Sequence, residues 1–476
     1  MKTPRLLVLL LALFATLLAV QSAGTTNSPN IRLDYSLSDT TRETHSDLAF
    51  WGDIGVAGNY DGFRVFNTQT HQLLVSFLCR GPQNDVSLFG HDGHLYLFLS
   101  NDRPQFNGDT VCSANRTSDR GSTDPICSPD PTSTCFEGIR IFNMDNPAQP
   151  QLIKSVYTDC GSHTHTLVPD LANGRVLLYI SSYSSGTGPR CVAPFAKMSI
   201  VAVPLDDIQA SSVIAQPPID APPFAWGSGC HDITVFPAIH RAAASCQTQG
   251  QIWDITDPAN PDTLHPLGRF SDGTVNFWHS SEFTWDGQYV TFNDEGSGTC
   301  TQGGNGKIRT YRVSDGQLMS IFMIPRPQGG TYCSVHNGMY IPVTGRYLLV
   351  AAWYGGGTSV IDLTNPSSPV EIAYYDATGS PAASDAWSSY WYNGKIYTND
   401  IGRGQDVFDF LTPTSPFGMT LDHLNAQTQE MLLPRFSFSK PAFRRHGALT
   451  GRRARQGRLV RAIARELGSP SRRHAR

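Results

Sequence analysis

The sequence predicts an all-β fold, a seven-bladed β-propeller made of four-stranded antiparallel blades. Three observations lead to this prediction: two families of strand-like segments recur seven times each, turn residues are abundant, and charged residues are few. The 476 residues include 43 glycines and 32 prolines, and 16% of them are charged. This composition suits many short strands joined by turns rather than long helices.

One family of segments shares a turn, an alternating strand and a closing polar residue. Three of its members are followed by a proline turn, with the sequences MDNPAQP, TDPANP and LTNPSSP. Because proline removes a ladder donor and fixes φ, each such turn ends one strand and leads into an outer one. The seven segments are GFRVFN from Gly62, GIRIFN from Gly138, MSIVAV from Met198, GQIWDI from Gly250, KIRTYR from Lys307, TSVIDL from Thr358 and QDVFDF from Gln405.

A second family of segments opens the repeats. Each member is followed by a turn and an apolar strand, so that one repeat contains four antiparallel strands, which is the composition of a propeller blade. The seven opening segments are HSDLAFWGD from His45, NDVSLFGHDG from Asn84, HTHTLVPD from His163, HDITVFP from His231, HSSEFTWDG from His279, HNGMYIPVTG from His336 and DAWSSYWYNG from Asp385.

The N-terminus has the features of a secretory signal peptide, which we place at residues 1–23. Lys2 and Arg5 precede an apolar run from Leu6 to Val20, and small residues follow at 22–24. The run is shorter than the roughly 20 residues that a membrane-spanning helix needs. We therefore predict a secreted or cell-surface protein, and a monomer.

The repeats divide the rest of the chain. We predict an N-terminal linker at 24–44, the propeller at 45–410, a short C-terminal extension at 411–434 and a disordered arginine-rich tail at 435–476. Within the extension, the sequence LDHLNAQTQEML predicts a short helix. The tail has no sustained apolar pattern that would support a packed core.

The charge of the chain is unevenly distributed. The tail contains twelve arginines, one lysine and one glutamate, although the formal net charge of the whole chain is -4. The body is therefore acidic, and we expect it not to bind nucleic acid. The tail is expected to contact anionic surfaces, as a cationic helix at GRLVRAIARELG or as a solvated segment.

The ten cysteines predict disulfides, because the chain is expected to be exported and their number is even. They lack the spacing of a zinc finger. Cys230 and Cys246 are symmetric about the turn at 237–240, so a hairpin would place them opposite each other. Cys112 and Cys127 are a candidate pair that would close the long insertion at 104–135.

The repeats also carry a family resemblance. The strings GFRVFN, GIRIFN and SVIDL resemble the LVIVD-repeat proteins, exported bacterial β-propellers that mostly lack an assigned biochemistry. The strings DCGSHTHTLVPD, SGCHDITVFP, FWHSSEFTWDG, AWYGGGTSVIDL and SSYWYNGKIY look closer to this family than to WD-repeat or kelch proteins. The resemblance covers about residues 45 to 410. It implies the propeller fold without implying a particular activity.

Histidines occupy the first position in five of the seven opening segments. The first strand of a propeller blade lines the central channel, so these imidazoles should surround one mouth of the channel. His165 lies two residues beyond His163, on the same strand face. Imidazole is a common ligand of copper and zinc. The candidate ligands of a copper or zinc ion are His45, His163, His165, His231, His279 and His336.

Hydrogen bonding between blades is the alternative role for these histidines. Polar residues follow four of them directly, at Ser46, Asp232, Ser280 and Asn337, and such side chains can join networks with neighbouring blades.

Other polar and aromatic residues near the strand ends are interpreted as structural. Asp294, Glu295, Asp400 and Arg403 follow second strands, where carboxylates cap turns; acid–base catalysis is their alternative role. The aromatic residues near the blade starts, such as Trp278, are interpreted as core, with a ligand-binding wall as the alternative.

Three functions are compatible with this pattern. The first is binding of a ligand or partner through the axial face lined by histidines, without catalysis. The second is a copper-dependent oxidase with His163, His165, His231, His279 and His336 as ligands. The third is an architectural cell-surface protein anchored by its tail. The sequence lacks the GxSxG, HExxH and P-loop motifs of common hydrolases, zinc proteases and nucleotide-binding proteins.

Overall fold

Seven antiparallel sheets arranged as propeller blades make up the protein in the computed structural model, which confirms the predicted fold class. The structure describes residues 26–41, 44–106, 112, 135–182, 191, 195–222, 229–296, 306–326, 332–378, 383–412 and 418–433. The predicted signal peptide and the arginine-rich tail lie outside these residues.

The first four blades follow one another along the chain, and each runs from the channel outward. Blade 1 contains β3 (His45–Trp51), β4 (Ile54–Asn59), β5 (Gly62–Asn67) and β6 (Leu73–Leu78); blade 2 contains β7 (Val86–His91), β8 (His94–Phe106), β9 (Cys135–Asn143) and β10 (Gln151–Tyr157). Blade 3 contains β11 (Thr164–Asp170), β12 (Arg175–Ser181), β13 (Ser199–Pro204) and β14 (Ser212–Ala215); blade 4 contains β15 (Ile233–Phe236), β16 (Arg241–Cys246), β17 (Gln249–Asp254) and β18 (Gly268–Phe270).

Blade 5 also consists of consecutive strands, whereas blades 6 and 7 each include one strand from the N-terminal part of the chain. Blade 5 contains β19 (Trp278–Phe283), β20 (Tyr289–Asp294), β21 (Ile308–Arg312) and β22 (Leu318–Phe322); blade 6 contains β23 (Gly338–Tyr340), β24 (Leu348–Ala352), β25 (Thr358–Asp362), β26 (Val370–Asp376) and β1 (Thr26–Asn27). Blade 7 contains β27 (Ala386–Tyr392), β28 (Lys395–Asp400), β29 (Gly404–Phe410) and β2 (Ile31–Ser38); β30 (His423–Asn425) joins blade 1. Short 3₁₀ turns lie at Leu171–Asn173, Ile208–Ala210 and Pro237–Ile239.

The two predicted families of segments occupy equivalent places in every blade. The opening segments form or adjoin the inner strands, and the closing segments form the third strands. The alternation in these short segments was therefore sufficient to predict both the number of blades and their order.

The N-terminal segment closes the ring of blades, so the prediction of a linker at 24–44 was wrong. Strand β2 is the outermost strand of blade 7 and pairs antiparallel with β29, from Ile31 opposite Phe410 to Ser38 opposite Gly404. The sequence IRLDYSLS alternates apolar and polar residues, as expected for a half-buried strand. Pairing the two ends of the chain in one sheet leaves the ring closed.

Large aromatic side chains fill the spaces between the sheets. Trp253, Trp278, Trp353 and Trp391 are among the largest fully buried side chains. For Trp278, Trp353 and Trp391, this burial confirms their interpretation as core. Each buried aromatic ring contributes on the order of 2 kcal/mol or more to stability through the apolar area that it removes from water.

Residues 421–433, which we call the plug, cross the channel end opposite the strand starts. The predicted helix in LDHLNAQTQEML was wrong: residues His423–Asn425 form a strand that pairs with the end of β3, with Asn425 opposite Ala49. Further along, Val235 donates its N–H to the carbonyl of Gln427 at 2.8 Å. The plug therefore runs from blade 1 towards blade 4 as a short strand followed by a turn at Ala426 and Gln427.

The plug satisfies the backbone groups of inner strands through its side-chain amides. Asn425 accepts the N–H of Leu88 at 2.7 Å and donates to the Leu88 carbonyl at 2.8 Å. Gln429 does the same with Phe283, at 2.9 and 2.7 Å. Inner strands are sheet edges, so each amide replaces one missing strand residue. These tertiary bonds outweigh the weak helix propensity of the segment.

Three disulfides are present in the described residues: Cys79–Cys112, Cys160–Cys191 and Cys230–Cys246. The last confirms the pairing predicted from the hairpin. The predicted pairing of Cys112 with Cys127 was wrong, because Cys112 bonds instead to Cys79 in the preceding blade; Cys127 lies outside the described residues. The disulfides indicate folding in an oxidising environment. Within the described residues, no helix is long and apolar enough to cross a membrane.

Candidate metal centre at the histidine mouth

Four imidazoles form a continuous row at the channel end where the inner strands begin, which we call the histidine mouth. Consecutive ring centroids are 4.5 Å apart for His163 and His231, 3.9 Å for His231 and His279, and 4.1 Å for His279 and His336. All four side chains are buried. The row spans blades 3 to 6, so the common sequence position of these histidines brings them into contact.

Aspartates hold the first two histidines of the row. His231 Nδ1 is 2.9 Å from Asp232 Oδ1, and His163 Nδ1 is 3.3 Å from Asp102 Oδ2. A carboxylate that accepts from Nδ1 leaves Nε2 with its lone pair, which is the arrangement found around metal-bound histidines. The two Nε2 atoms face each other at 2.8 Å, so either a proton or a metal ion must lie between the lone pairs.

His279 is the central member of the row and has no hydrogen-bond partner for either ring nitrogen among the described residues. Its side chain is fully buried. A buried imidazole without partners is destabilising, because it loses its hydrogen bonds to water without replacement. A metal ion would supply the missing interaction.

A carboxylate and a tyrosine complete the site on the side of His336. Glu295 Oε2 is 3.7 Å from His279 Nε2, and Glu295 Oε1 is 3.9 Å from His336 Nε2. The Tyr354 hydroxyl donates to Glu295 Oε1 at 2.6 Å. His336 donates its Nδ1–H to the Trp387 carbonyl at 2.5 Å, which leaves Nε2 as the acceptor nitrogen.

Burial keeps most of these imidazoles neutral. It lowers the pKa of His231 and His279 well below the ordinary value, with neighbouring imidazoles adding to the effect, and lowers the pKa of His336 to about 3. Burial would also lower the pKa of His163, but the Asp102 carboxylate outweighs it and raises that pKa. Neutral imidazole is the form that binds metals.

The remaining two histidines of the predicted ring lie outside the row. His165 is hydrogen-bonded through both ring nitrogens, to Ser87 at 2.7 Å and to Ser100 at 2.8 Å. His45 directs Nε2 to the carbonyl of Asp39 at 2.8 Å. We therefore exclude both residues from the candidate ligand set, because these hydrogen bonds fit the alternative structural role.

Glu295, which the sequence predicts to cap a turn, belongs instead to the candidate metal site. That interpretation holds for its neighbour Asp294, which accepts backbone N–H groups of Phe277 and Gly296, and for Asp400, which accepts those of Gly402 and Arg403. Asp294 and Glu295 adjoin in the chain, so no local signal separates them. Only the position of the next blade places Glu295 beside the histidines.

The donor set fits a first-row transition metal. One ligand atom each from His231, His279 and Glu295 lies within 4.8 Å of the other two. Two imidazoles and a carboxylate form a common catalytic zinc set, and imidazole also suits copper. The Glu295 side chain is 24% exposed. A metal held here would therefore have a side open to solvent, where a ligand could complete its coordination.

Disulfides hold the chain next to three of the histidines. Cys230 precedes His231 directly, Cys160 lies three residues before His163, and the disulfide-bonded Cys333 lies three residues before His336. A covalent cross-link next to each of these histidines restricts the position of its imidazole. The disulfides therefore pre-organise the row.

Replacing both Cys230 and Cys246 with serine is expected to destabilise the protein by about 3 kcal/mol, because the bond closes a loop with a sequence separation of 16 residues. Urea unfolding of the double variant and the wild type measures the difference. The single exchange Ser271→Ala, at an exposed position, serves as the control. An unchanged unfolding midpoint in the double variant would contradict the prediction.

Comparisons with known proteins do not place the chain in a family. No protein-family model matches it, and no curated protein matches it. Solved structures that it resembles include the mitotic checkpoint complex (10% identity, TM-score 0.47, 83% of this chain and 98% of that chain). Others are the Cps50 (Swd1) β-propeller domain of Myceliophteria thermophila (9%, 0.46, 80% and 99%) and a putative 6-phosphogluconolactonase of Bacteroides fragilis (12%, 0.48, 83% and 99%).

Proposed function

We propose that the protein is an exported LVIVD-repeat β-propeller that binds one copper or zinc ion at the histidine mouth and binds a ligand or partner through that face. The observation that carries the proposal is the full burial of His279 with both ring nitrogens unpartnered, in van der Waals contact with two further histidines. Export is supported by the disulfides and by the predicted signal peptide.

His231, His279 and Glu295 would hold the ion, with His163 and His336 beside them. A bound ion would supply a Lewis acid with an open coordination position. The Asp232 and Asp102 carboxylates would orient His231 and His163, and the Tyr354 hydroxyl would position Glu295. Because the pKa of His163 is raised, binding of the ion next to its Nε2 is expected to release a proton.

Metal analysis of the full chain, purified without a polyhistidine tag, tests the proposal. We expect about one copper or zinc ion per chain after loading and dialysis. The double variant His231→Ala, His279→Ala is expected to bind at least about 100-fold more weakly, because it removes two of three ligands. His265→Ala is the matched control, since the His265 side chain is 82% exposed and is expected to leave binding unchanged.

Two results would overturn the proposal. One is a wild-type protein that binds neither copper nor zinc at micromolar concentrations. The other is a double variant that folds, as judged by its thermal transition, and still binds the ion as tightly as the wild type.

A copper-dependent oxidase is the second candidate. The neutral imidazoles of His231, His279 and His336 favour it, because neutral imidazole is a donor that copper binds strongly. This function requires turnover in addition to binding. Oxygen consumption by the copper-loaded protein with phenols, alcohols and thiols, compared with the same assay on the double variant, separates an oxidase from a binding protein.

A further inference from the structure

Four aromatic side chains continue the histidine mouth where the row of histidines ends, and we call them the aromatic arc. They are Tyr60, Tyr332, Tyr354 and Trp387. Tyr60 and Tyr354 directly follow the second strands of blades 1 and 6, and Trp387 lies in the first strand of blade 7. Second strands end, and first strands begin, at the mouth. The arc therefore covers blades 6, 7 and 1, whereas the row of histidines covers blades 3 to 6.

The arc begins in contact with His336, the last histidine of the row. The ring centroid of His336 is 4.8 Å from that of Tyr354 and 4.7 Å from that of Trp387. Tyr332 packs against Tyr354 at 4.9 Å. The Trp387 ring is nearly perpendicular to the rings of Tyr354 and Tyr60, at 6.4 Å from each. Perpendicular rings form corners with apolar faces, against which another flat ring can pack.

Solvent reaches three rings of the arc, in contrast to the tryptophans of the core. The side chain of Tyr332 is 41% exposed, and Tyr60 and Trp387 are partly exposed. Trp278, by comparison, is fully buried. Adjoining apolar groups left in contact with water at a mouth are typical of a ligand-binding surface. For Trp387, the role of a ligand-binding wall is therefore favoured over that of core.

The backbone at Tyr354 is held in a conformation that bulky residues rarely adopt. Its φ is 43°, in the left-handed region. Two hydrogen bonds with blade 7 maintain it, because Tyr354 donates its N–H to the Ala386 carbonyl at 3.0 Å and accepts the Ala386 N–H at 2.9 Å. Strain that neighbouring structure fixes in this way concentrates at binding and active sites. The strain therefore supports a role for Tyr354 in binding.

The hydroxyl groups of the arc are engaged within the protein. Those of Tyr354 and Tyr332 donate to Glu295, at its Oε1 and at its backbone carbonyl. The Tyr60 hydroxyl accepts from Gln83 Nε2 at 3.2 Å. A sugar needs several hydrogen bonds to replace those it makes with water, and these engaged groups supply few. A ligand with one polar group, which a metal ion can bind, fits the arc better.

Charge at the arc favours a neutral ligand. The charged side chains that act on the hydroxyls of Tyr332 and Tyr354 are carboxyl groups, among them Glu295 and Asp385. A carboxyl group cannot neutralise an anion, whether it is ionised or protonated. A cationic ligand would in turn be repelled by a metal ion at the histidines.

We propose that the histidine mouth binds a neutral phenol, with the ring of the phenol against the aromatic arc and its hydroxyl oxygen at the open position of the metal ion. This inference rests on the proposed metal site and names the class of its ligand. Glu295 adjoins both parts of the site, since its carboxylate lies beside His279 and His336 and accepts from Tyr354. Oxygen is a donor that zinc and copper both accept.

Calorimetric titration of the zinc-loaded full chain with p-cresol tests the proposal, because zinc has no redox chemistry that would consume the phenol. We expect a Kd of about 1 mM or lower. The matched probe is 4-methylcyclohexanol, which has the same hydroxyl and nearly the same size without an aromatic ring. It is expected to bind at least about 10-fold more weakly, because it cannot stack on the rings of the arc.

The variant Trp387→Leu is expected to bind p-cresol at least about 10-fold more weakly than the wild type and to retain its zinc. Tyr332→Leu, which changes an exposed ring, is expected to weaken binding in the same direction and replaces Trp387→Leu if that variant does not fold. Tyr289→Leu is the matched control, since Tyr289 is a partly exposed aromatic residue at the start of β20, at the other end of the channel. It is expected to leave binding unchanged.

The zinc content of each sample separates this inference from the proposed metal site. A zinc-loaded wild type that binds both probes equally, or a Trp387→Leu variant that binds p-cresol as tightly as the wild type, would reject the phenol site and leave the metal site unaffected. Tighter binding of methyl β-glucoside than of p-cresol would also reject it. If the wild type retains no zinc, the metal site fails, and p-cresol binding by the metal-free chain decides: no binding up to about 10 mM rejects the phenol site.

Discussion

Removing the plug is expected to destabilise the propeller by at least about 5 kcal/mol. A chain that ends at Thr412 loses the two bidentate amides, Asn425 and Gln429, and leaves backbone groups of two inner strands without partners. It also loses Leu421, Leu424 and Leu433, all of them buried. Each buried leucine contributes about 1.5 to 3 kcal/mol, and each unpaired buried backbone group costs about 1 to 3 kcal/mol.

Urea unfolding, followed by tryptophan fluorescence, measures this effect. The matched control is a chain that ends at residue 435. It retains the plug, and its midpoint of urea unfolding is expected to equal that of the wild type. The point exchange Gln429→Ala removes one amide pair and is expected to cost about 2 to 4 kcal/mol. Equal midpoints for the Thr412 truncation and the wild type would show that the plug does not stabilise the fold.

Replacing Glu282 with glutamine is expected to raise stability at pH 8 by on the order of 4 kcal/mol, with little change at pH 4.5. Burial raises the pKa of Glu282 to about 8 from an ordinary value of 4.5, although Thr291 and Asn293 donate to it and lower it in part. Asp232 lies close enough to raise it further. A neutral amide reproduces the protonated form and needs no desolvation of charge.

The sign of the pH dependence follows from proton binding. Between about pH 4.5 and 8 the folded protein keeps the Glu282 proton that the unfolded chain has released, so stability falls as the pH rises through this window. The fall amounts to about 1.4 kcal/mol per pH unit for one such group. Below pH 4.5 Glu282 is protonated in both the folded and the unfolded protein, and above pH 8 it is ionised in both. Outside this window Glu282 therefore no longer makes the stability depend on pH.

Unfolding free energies of wild type and Glu282→Gln at pH 5, 6, 7 and 8 test this prediction. Asp315→Asn is the control: Asp315 is exposed and paired with Arg312, which lowers its pKa, so it titrates below this window. Identical slopes of unfolding free energy against pH for wild type and Glu282→Gln would contradict a raised pKa of Glu282.

Some residues of the candidate metal site could be predicted from local sequence patterns, and others could not. Four of the six predicted histidines form the row: they occupy the same position in blades 3 to 6, and the fold places these four blades side by side about one axis. The exclusion of His165 depends on Ser87 and Ser100 of the neighbouring blade, more than 60 residues away. Glu295 joins the site for the same reason, through Tyr354 of the next blade.

The short-range patterns of this sequence determined its strands, the number of its blades and the position of its histidines, because alternation and turn chemistry act between neighbouring residues. Only the tertiary structure decided the partner of β2 at the far end of the chain, the disulfide of Cys112 and the strand and turn of the plug. In each case the deciding interaction joins residues distant in the chain. A segment with a weak local preference for any secondary structure, such as residues 421–433, adopts the conformation in which it forms hydrogen bonds with the unpaired backbone groups of the inner strands.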